Sequence, residues 1–380
     1  MGIYILSFLL IPVYKLFSNK KTITVFVALQ LFCILAFRYE ELGVDVSRYK
    51  FYYEYYGNLS FKRILTTSRF FISSDLIYGN ESGYVWLNWI CKNIFMLDFH
   101  GFEVIVAFIC VISISTFIYK YSKDPAFSFC LFVGLGIYSY FFCILRQSLA
   151  MSILIWIVPC IANRKYIKSI LILFLSILFH RTAIIFVLVI ILSNYKIEKK
   201  TIPVVMFASV VITLIYPILN SVFFSKLLAF VGKDIYGSLS MSFNFMQIIF
   251  VFLYIVVYFL SKFKSENKMT LYNFSIETDS SINLIKDTAV IETTKENFID
   301  NVIEWAFLLA LPLQSIPMFT RVAQTYNLFF FTVLFPNLLQ NKKDNNLRIF
   351  VQAITFLGLL SFYSYTLKVN PWEIVPYVSG

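Results

Sequence analysis

Residues 168–196 read KSILILFLSILFHRTAIIFVLVIILSNYK. Everything between the two lysines is apolar or uncharged except the adjacent pair His180-Arg181, close to the middle. An Arg held at membrane depth costs roughly 2.5–3.5 kcal/mol on insertion scales, so an ionisable pair there is a functional candidate in its own right. The plainer reading is a tight turn between two short helices, with both side chains snorkelling to the headgroups. Topology decides between them, and the flanking charges speak to topology.

Working outward, the composition is that of a membrane protein. Hydrophobic residues make up 59% of the 380 and charged residues 14%. Apolar runs of about twenty residues recur along the whole chain, so an all-α polytopic integral membrane protein in a lipid bilayer is expected. The net charge of +11 would point to nucleic acid in a soluble chain. Here the basic residues cluster between apolar spans, the positive-inside signature, so no nucleic-acid partner is expected. The first residues, MGIYILSFLLIPVYKLF, have no basic n-region and no small-residue cleavage site, and read as a first span. Cys33, Cys91, Cys110, Cys130, Cys143 and Cys160 lie in apolar segments without a Cys-x-x-Cys pair and read as small buried hydrophobes. With His100 and His180 the only histidines, no His-Glu-x-x-His site can be built. Asp-x-Asp, GxGxxG and GxSxG are also missing, so neither a metal nor a cofactor is expected.

Spans are expected at about 3–17, 22–37, 102–119, 126–144, 147–162, 167–179, 182–194, 203–219, 243–261, 302–319, 322–339 and 347–366, about 12 transmembrane helices in a single domain, 1–380. Lys15, Lys20 and Lys21 place the first turn in the cytoplasm, which makes 38–83 an external loop. Residues 84–98, YVWLNWICKNIFMLD, carry Trp86, Trp89 and Lys92 at spacings suited to an interfacial helix. If that helix does not cross, the basic clusters at 120–123, 164–168, 196–200, 262–268 and 342–343 all fall inside. If it crosses and 167–194 is one span, two clusters move outside, so the charge bias favours the first arrangement. Segments 167–179 and 182–194 are then short for a crossing of roughly 20 residues. They require local thinning, snorkelling lysines or a water-filled cavity at the tip. Residues 262–300 are polar and of mixed charge, and read as a cytoplasmic insertion.

This topology gathers unlike residues on the outer side. Arg38, Asp45, Tyr49 and Glu81 lie in the loop, Arg146 opens the fifth span, His180-Arg181 form the hairpin tip, and Arg321 caps a turn. Arginines on the disfavoured side, near helix starts, suit an anion such as a phosphate group. Each has a plainer reading. Arg146 and Arg321 as helix-end snorkellers, Glu81 as a dipole partner and Asp45 as a turn former all fit ordinary structure. His180-Arg181 has the least ordinary explanation of the set.

The order Arg38-x-x-x-x-Gly43-x-Asp45-x-x-x-Tyr49, Glu81-x-Gly83-Tyr84 leading to Leu87-Asn88, Arg146-Gln147-x-Leu149-Ala150 and Phe179-His180-Arg181-Thr182-Ala183 resembles the EpsG-type branch of the Wzy polysaccharide polymerases. The likeness covers roughly residues 1–200 and, more loosely, the Arg321 region; the 262–300 insertion has no counterpart in it. It implies a GT-C-like bundle and a glycosyltransferase of the bacterial cytoplasmic membrane, using neither nucleotide nor metal. Its substrates would be polyprenyl-pyrophosphate-linked oligosaccharides, with a chain-length regulator and a flippase as further partners. A sugar hydroxyl of one repeat unit would attack the anomeric carbon of the growing chain at the outer face, expelling polyprenyl pyrophosphate.

On that reading Arg146 and Arg181 hold pyrophosphate, supported by Arg321 and Arg38. His180 is base or pyrophosphate donor, Glu81 and Asp45 bind sugar or orient the arginines, and Tyr49 binds substrate. Either His180 or Glu81 could take the hydroxyl proton if partial burial raised its pKa toward neutrality. A lipid-linked saccharide transporter or flippase is the main rival, although no paired halves are visible. A polymer ligase would use the same chemistry.

Overall fold

The structure is a computed structural model that describes residues 1–16, 19–39, 42–67, 81–198, 200–219, 245–262, 288–316, 319–342 and 344–377. Residues 68–80 of the expected external loop and 263–287 of the expected insertion lie outside the described residues. Among the described residues the regular structure is helical, in two compact units.

Residues 1–190 and 328–377 form the first unit. It begins with α1 (Gly2–Val13), α2 (Lys20–Ala36), α3 (Val46–Gly57), α4 (Phe61–Thr67) and α5 (Ser82–Asn93). Then come α6 (Phe99–Tyr121), α7 (Pro125–Gly134), the one-turn α8 (Tyr140–Cys143), α9 (Leu145–Leu154), α10 (Ile157–Ala162) and α11 (Tyr166–Phe179). A 3₁₀ turn, Arg181–Ile185, leads into α12 (Phe186–Leu192). Residues 191–262 and 288–327 form the second unit, with α13 (Thr201–Leu219), α14 (Phe245–Lys262), α15 (Thr288–Ser315) and most of α16 (Thr320–Phe329). A π-helical turn, Phe330–Leu334, runs on into α17 (Phe335–Gln340), and α18 (Asn345–Val369) follows.

Helix starts follow local chemistry. Asn19 accepts from the Thr22 N–H at 2.7 Å, Asp98 from Gly101 at 2.8 Å, and Asp124 from Phe127 at 3.1 Å with Pro125 at the first helical position. Every residue of α7 is buried, as expected of a helix apolar on all sides. It packs against α1, α2 and α18, while α9 packs against α6 and α11. Residues Leu347, Ile349, Phe350, Ile354 and Leu357 of α18 are exposed. In water such a face would be an aggregation surface; against lipid it is an ordinary one. Inside the second unit the Tyr254 hydroxyl bonds Asn327 at 2.7 Å, and the Asn327 amide donates to Gln314 and Gln324 at 3.1 and 3.2 Å.

Helices occupy much of the described parts of the expected spans, but fewer of them have the length and apolarity of a crossing. Among the described residues four are long and apolar enough to cross a membrane: Phe99–Tyr121, Leu145–Ala162, Thr320–Gln340 and Asn345–Val369. Six other apolar helices are shorter. The expected span 126–144 is broken by a turn over 135–139, where Gly136 takes φ +74°, a conformation that favours glycine. α15 begins at Thr288, inside the stretch read as insertion, because residues 288–300 contain neither Gly nor Pro to stop it. At 12 residues, α5 is about 18 Å long, too short for an apolar core of about 30 Å.

One polar junction ties the first unit together. Asp124 Oδ2 accepts from Lys15 Nζ at 2.8 Å, Gln340 Nε2 at 2.9 Å and Gln352 Nε2 at 3.0 Å, while Oδ1 caps α7. Asp124→Ala is therefore expected to cost about 2–4 kcal/mol, read as a lowered unfolding temperature in detergent. An unchanged temperature would show that the junction is dispensable.

Candidate functional site

Three segments far apart in sequence meet at Glu81. It precedes α5 with an extended backbone, φ −67° and ψ 140°. Two residues later, Gly83 permits a close approach of α5 to α11. A Cβ there would lie 2.8 Å from the Leu178 carbonyl oxygen and 2.9 Å from the Leu178 Cβ. α11 ends at Phe179; the His180 N–H still bonds the Ser176 carbonyl at 2.9 Å, but its backbone turns extended. That turn points His180 and Arg181 back at α5. Arg146 comes from a third direction, in the first turn of α9, just after the break at Ile144.

Both carboxylate oxygens of Glu81 are engaged. Arg146 Nη1 donates to Oε2 at 2.8 Å. His180 Nδ1 lies 3.2 Å from Oε1, which also accepts the Arg181 backbone N–H at 3.2 Å, with Arg181 Nε at 3.7 Å. The Arg146 guanidinium sits 5.9 and 6.0 Å from the ring centroids of Tyr49 and Tyr84, within cation–π range. Those two rings meet edge to face at 5.8 Å. Exposure separates the anion from the cations. The Glu81 side chain is 2% exposed, against 23% for Arg146, 22% for His180 and 55% for Arg181. The outward face of the cluster is therefore basic, with the carboxylate sealed behind it.

Burial by itself pushes the Glu81 carboxyl up. The hydrogen bond from His180 and the charge of Arg146 outweigh it and hold the group down to about 2, against an ordinary 4.5. This is the opposite of the upward shift the sequence reading required of Glu81 as a base. An ionised carboxylate can only accept hydrogen bonds, so His180 donates its Nδ1–H to Glu81. The ionised form contributes stability on the order of 3 kcal/mol. That contribution is fully present above the ordinary value of 4.5 and is lost as pH falls through about 2. Glu81→Gln is expected to lose it at neutral pH and to flatten the acid limb between those values in thermal scans. An unaltered acid limb would remove Glu81 from the ion cluster.

Of the other sequence candidates, Arg38 and Asp45 make their ion pairs outside this cluster, whereas Tyr49 is part of it. Arg38 is 1% exposed and paired with Glu103, equally buried, at 2.5 Å. Asp45 stands just before α3 with its carboxylate 4.0 Å from Arg48, partly exposed. Arg321 is exposed on α16 in the second unit. Tyr49 is buried beside Arg146. Reasoning from sequence missed Glu103, a lone carboxylate in an apolar span, and gave Tyr84 no role; a charged residue inside a span was the available signal for the first. Among the described residues no group of three or more His, Cys, Asp or Glu is placed to hold a metal ion.

Helices with exposed apolar faces, four of them among the described residues long and apolar enough to cross a membrane, mark a helical membrane protein. The EpsG family model matches residues 21–379, and the chain belongs to that family. Membership points to a polysaccharide polymerase-type role, with glycosyltransferase-like chemistry. No curated protein and no solved structure matches the chain.

Proposed function

We propose that the protein elongates surface polysaccharide from polyprenyl-pyrophosphate-linked repeat units, with the Glu81 cluster as its reaction centre on the outer face of a bacterial cytoplasmic membrane. The supporting observation is the basic face formed by Arg146, His180 and Arg181 around one sealed carboxylate. Arg146 and Arg181 take the diphosphate. Guanidinium groups match phosphate oxygens in a planar fork and stabilise charge that grows as the leaving group departs. His180 serves as the base. Its Nε2 takes the proton of the attacking sugar hydroxyl, the hydroxyl oxygen bonds to the anomeric carbon, and the electron pair of the broken bond leaves with the diphosphate. Glu81 orients the imidazole and stabilises its protonated form, as a carboxylate does behind a catalytic histidine.

Purified protein supplied with short lipid-linked repeat units, without nucleotide or added divalent metal, is expected to give a ladder of longer lipid-linked products. Relocation of the substrate across vesicles without elongation would mean a transporter. Transfer of a finished chain to a separate acceptor, with no ladder, would mean a ligase.

A further inference from the structure

We infer that Arg38 and Glu103 are a positioning pair that sets the helix break presenting Arg146, and that Arg38 does not touch substrate; this rests on the reading of the reaction centre above. Arg38 follows the end of α2. Its Nη2 meets Glu103 Oε1 on α6 at 2.5 Å and its Nη1 donates to the Leu35 carbonyl at 2.8 Å. With both side chains 1% exposed, a diphosphate could reach Arg38 only by dismantling the pair. The guanidinium instead lies 5.3 Å from the ring of Phe142. Phe142 belongs to α8, the single turn that ends at Cys143, immediately before the break at Ile144.

That turn cannot hold itself in place. Four residues are too few to form a stable helix alone. The next helix opens with a cation, Arg146, at the end where the helix dipole opposes positive charge. The geometry must be imposed by neighbours; the rings of Tyr4 and Tyr138 pack on Phe142 at 5.8 and 5.3 Å, and three further groups bear on the turn. Arg38 packs on the Phe142 ring. Gly43, at φ +124°, lies so near that a Cβ would be 2.9 Å from the Phe142 carbonyl oxygen. The Trp372 carbonyl accepts from Cys143 Sγ at 3.2 Å and from the Val44 N–H at 3.3 Å, while the Trp372 ring sits 4.5 Å from that of Tyr140. Of these three only the first is an ion pair, and a buried ion pair is often no more stabilising than apolar residues of the same volume. Its effect here is on placement.

The test uses full-length protein in which Cys33, Cys91, Cys110, Cys130 and Cys160 are replaced by alanine, leaving Cys143, buried against Trp372, as the only thiol. Arg38→Met and Glu103→Leu are each expected to raise N-ethylmaleimide labelling of Cys143 and to lower elongation, both by at least about tenfold. The lowered rate should fall in kcat, with KM for the lipid-linked substrate unchanged. The double variant Arg38→Met/Glu103→Leu restores an uncharged, packed pair and is expected to recover both readouts above either single variant. Cys143 as protected in both single variants as in the parent would overturn the inference. So would Glu103→Leu elongating normally while Arg38→Met fails through a raised KM, the behaviour of a substrate ligand. A parent protein that makes no ladder would defeat the functional reading instead, and the thiol measurement would still decide this one.

Discussion

Arg146→Ala is expected to lower elongation of lipid-linked repeat units by about a thousandfold, while the protein stays in the membrane at wild-type abundance. Loss of one preorganised donor at a developing oxyanion costs about 10²–10³ in rate, and loss of an arginine on a departing phosphoryl group costs 10³–10⁵. Arg146 serves both the diphosphate and the carboxylate behind it, so the upper part of the first range applies. Removing it also leaves Glu81 buried with His180 and Arg181 as its remaining partners, which draws both toward the carboxylate and away from substrate. Arg146→Lys is not expected to rescue. An ammonium cannot make a planar fork, and it cannot lie flat near Tyr49 and Tyr84, where the guanidinium sits about 6 Å from each ring. The check is single-turnover elongation by purified variants. Wild-type chain lengths from Arg146→Ala would remove Arg146 from the reaction centre.

Much of this arrangement can be read from local sequence, because its signals are local. The His180-Arg181 pair interrupts an apolar run, and α11 ends one residue before it. Arg146 follows a long apolar stretch and falls in the first turn of a helix. Partnerships across the fold are a different matter. Glu103 is 65 positions from Arg38 and looks like one tolerated charge near a span end; only the packing of α2 on α6 makes it a partner. Asp124 looks like a helix cap, which it is, but its links to Gln340 and Gln352 span more than two hundred positions. The sign of the Glu81 shift was equally out of reach. Burial alone argues upward, and the decision lies with His180 and Arg146, whose distances no spacing rule supplies.

Gly83→Ala should abolish elongation almost as thoroughly, although it changes no group that takes part in the chemistry. The atoms a new Cβ would strike are backbone: the Leu178 carbonyl oxygen at 2.8 Å and its carbon at 3.0 Å, with the Leu178 Cβ at 2.9 Å. A side chain could rotate away from such a contact; a carbonyl in the last turn of α11 cannot, so α5 and α11 must separate. Glu81 stands two residues before Gly83 and His180 two residues after Leu178. Any separation therefore opens the 3.2 Å contact between carboxylate and imidazole directly. A displaced orienting carboxylate leaves the imidazole in the wrong tautomer, and losing a positioned base costs typically 10²–10⁴ in rate. Two controls separate this from general damage. Leu178→Ala combined with Gly83→Ala should not recover elongation, because the obstructing carbonyl remains. Gly134→Ala meets side-chain atoms instead, the Leu359 Cβ at 2.8 Å and the edge of the Phe8 ring at 3.0 Å, and it should recover when Leu359 is replaced by glycine, which removes the obstructing Cβ. If Gly83→Ala elongates at the wild-type rate, the two helices tolerate separation and the Glu81–His180 contact is not what makes the site work.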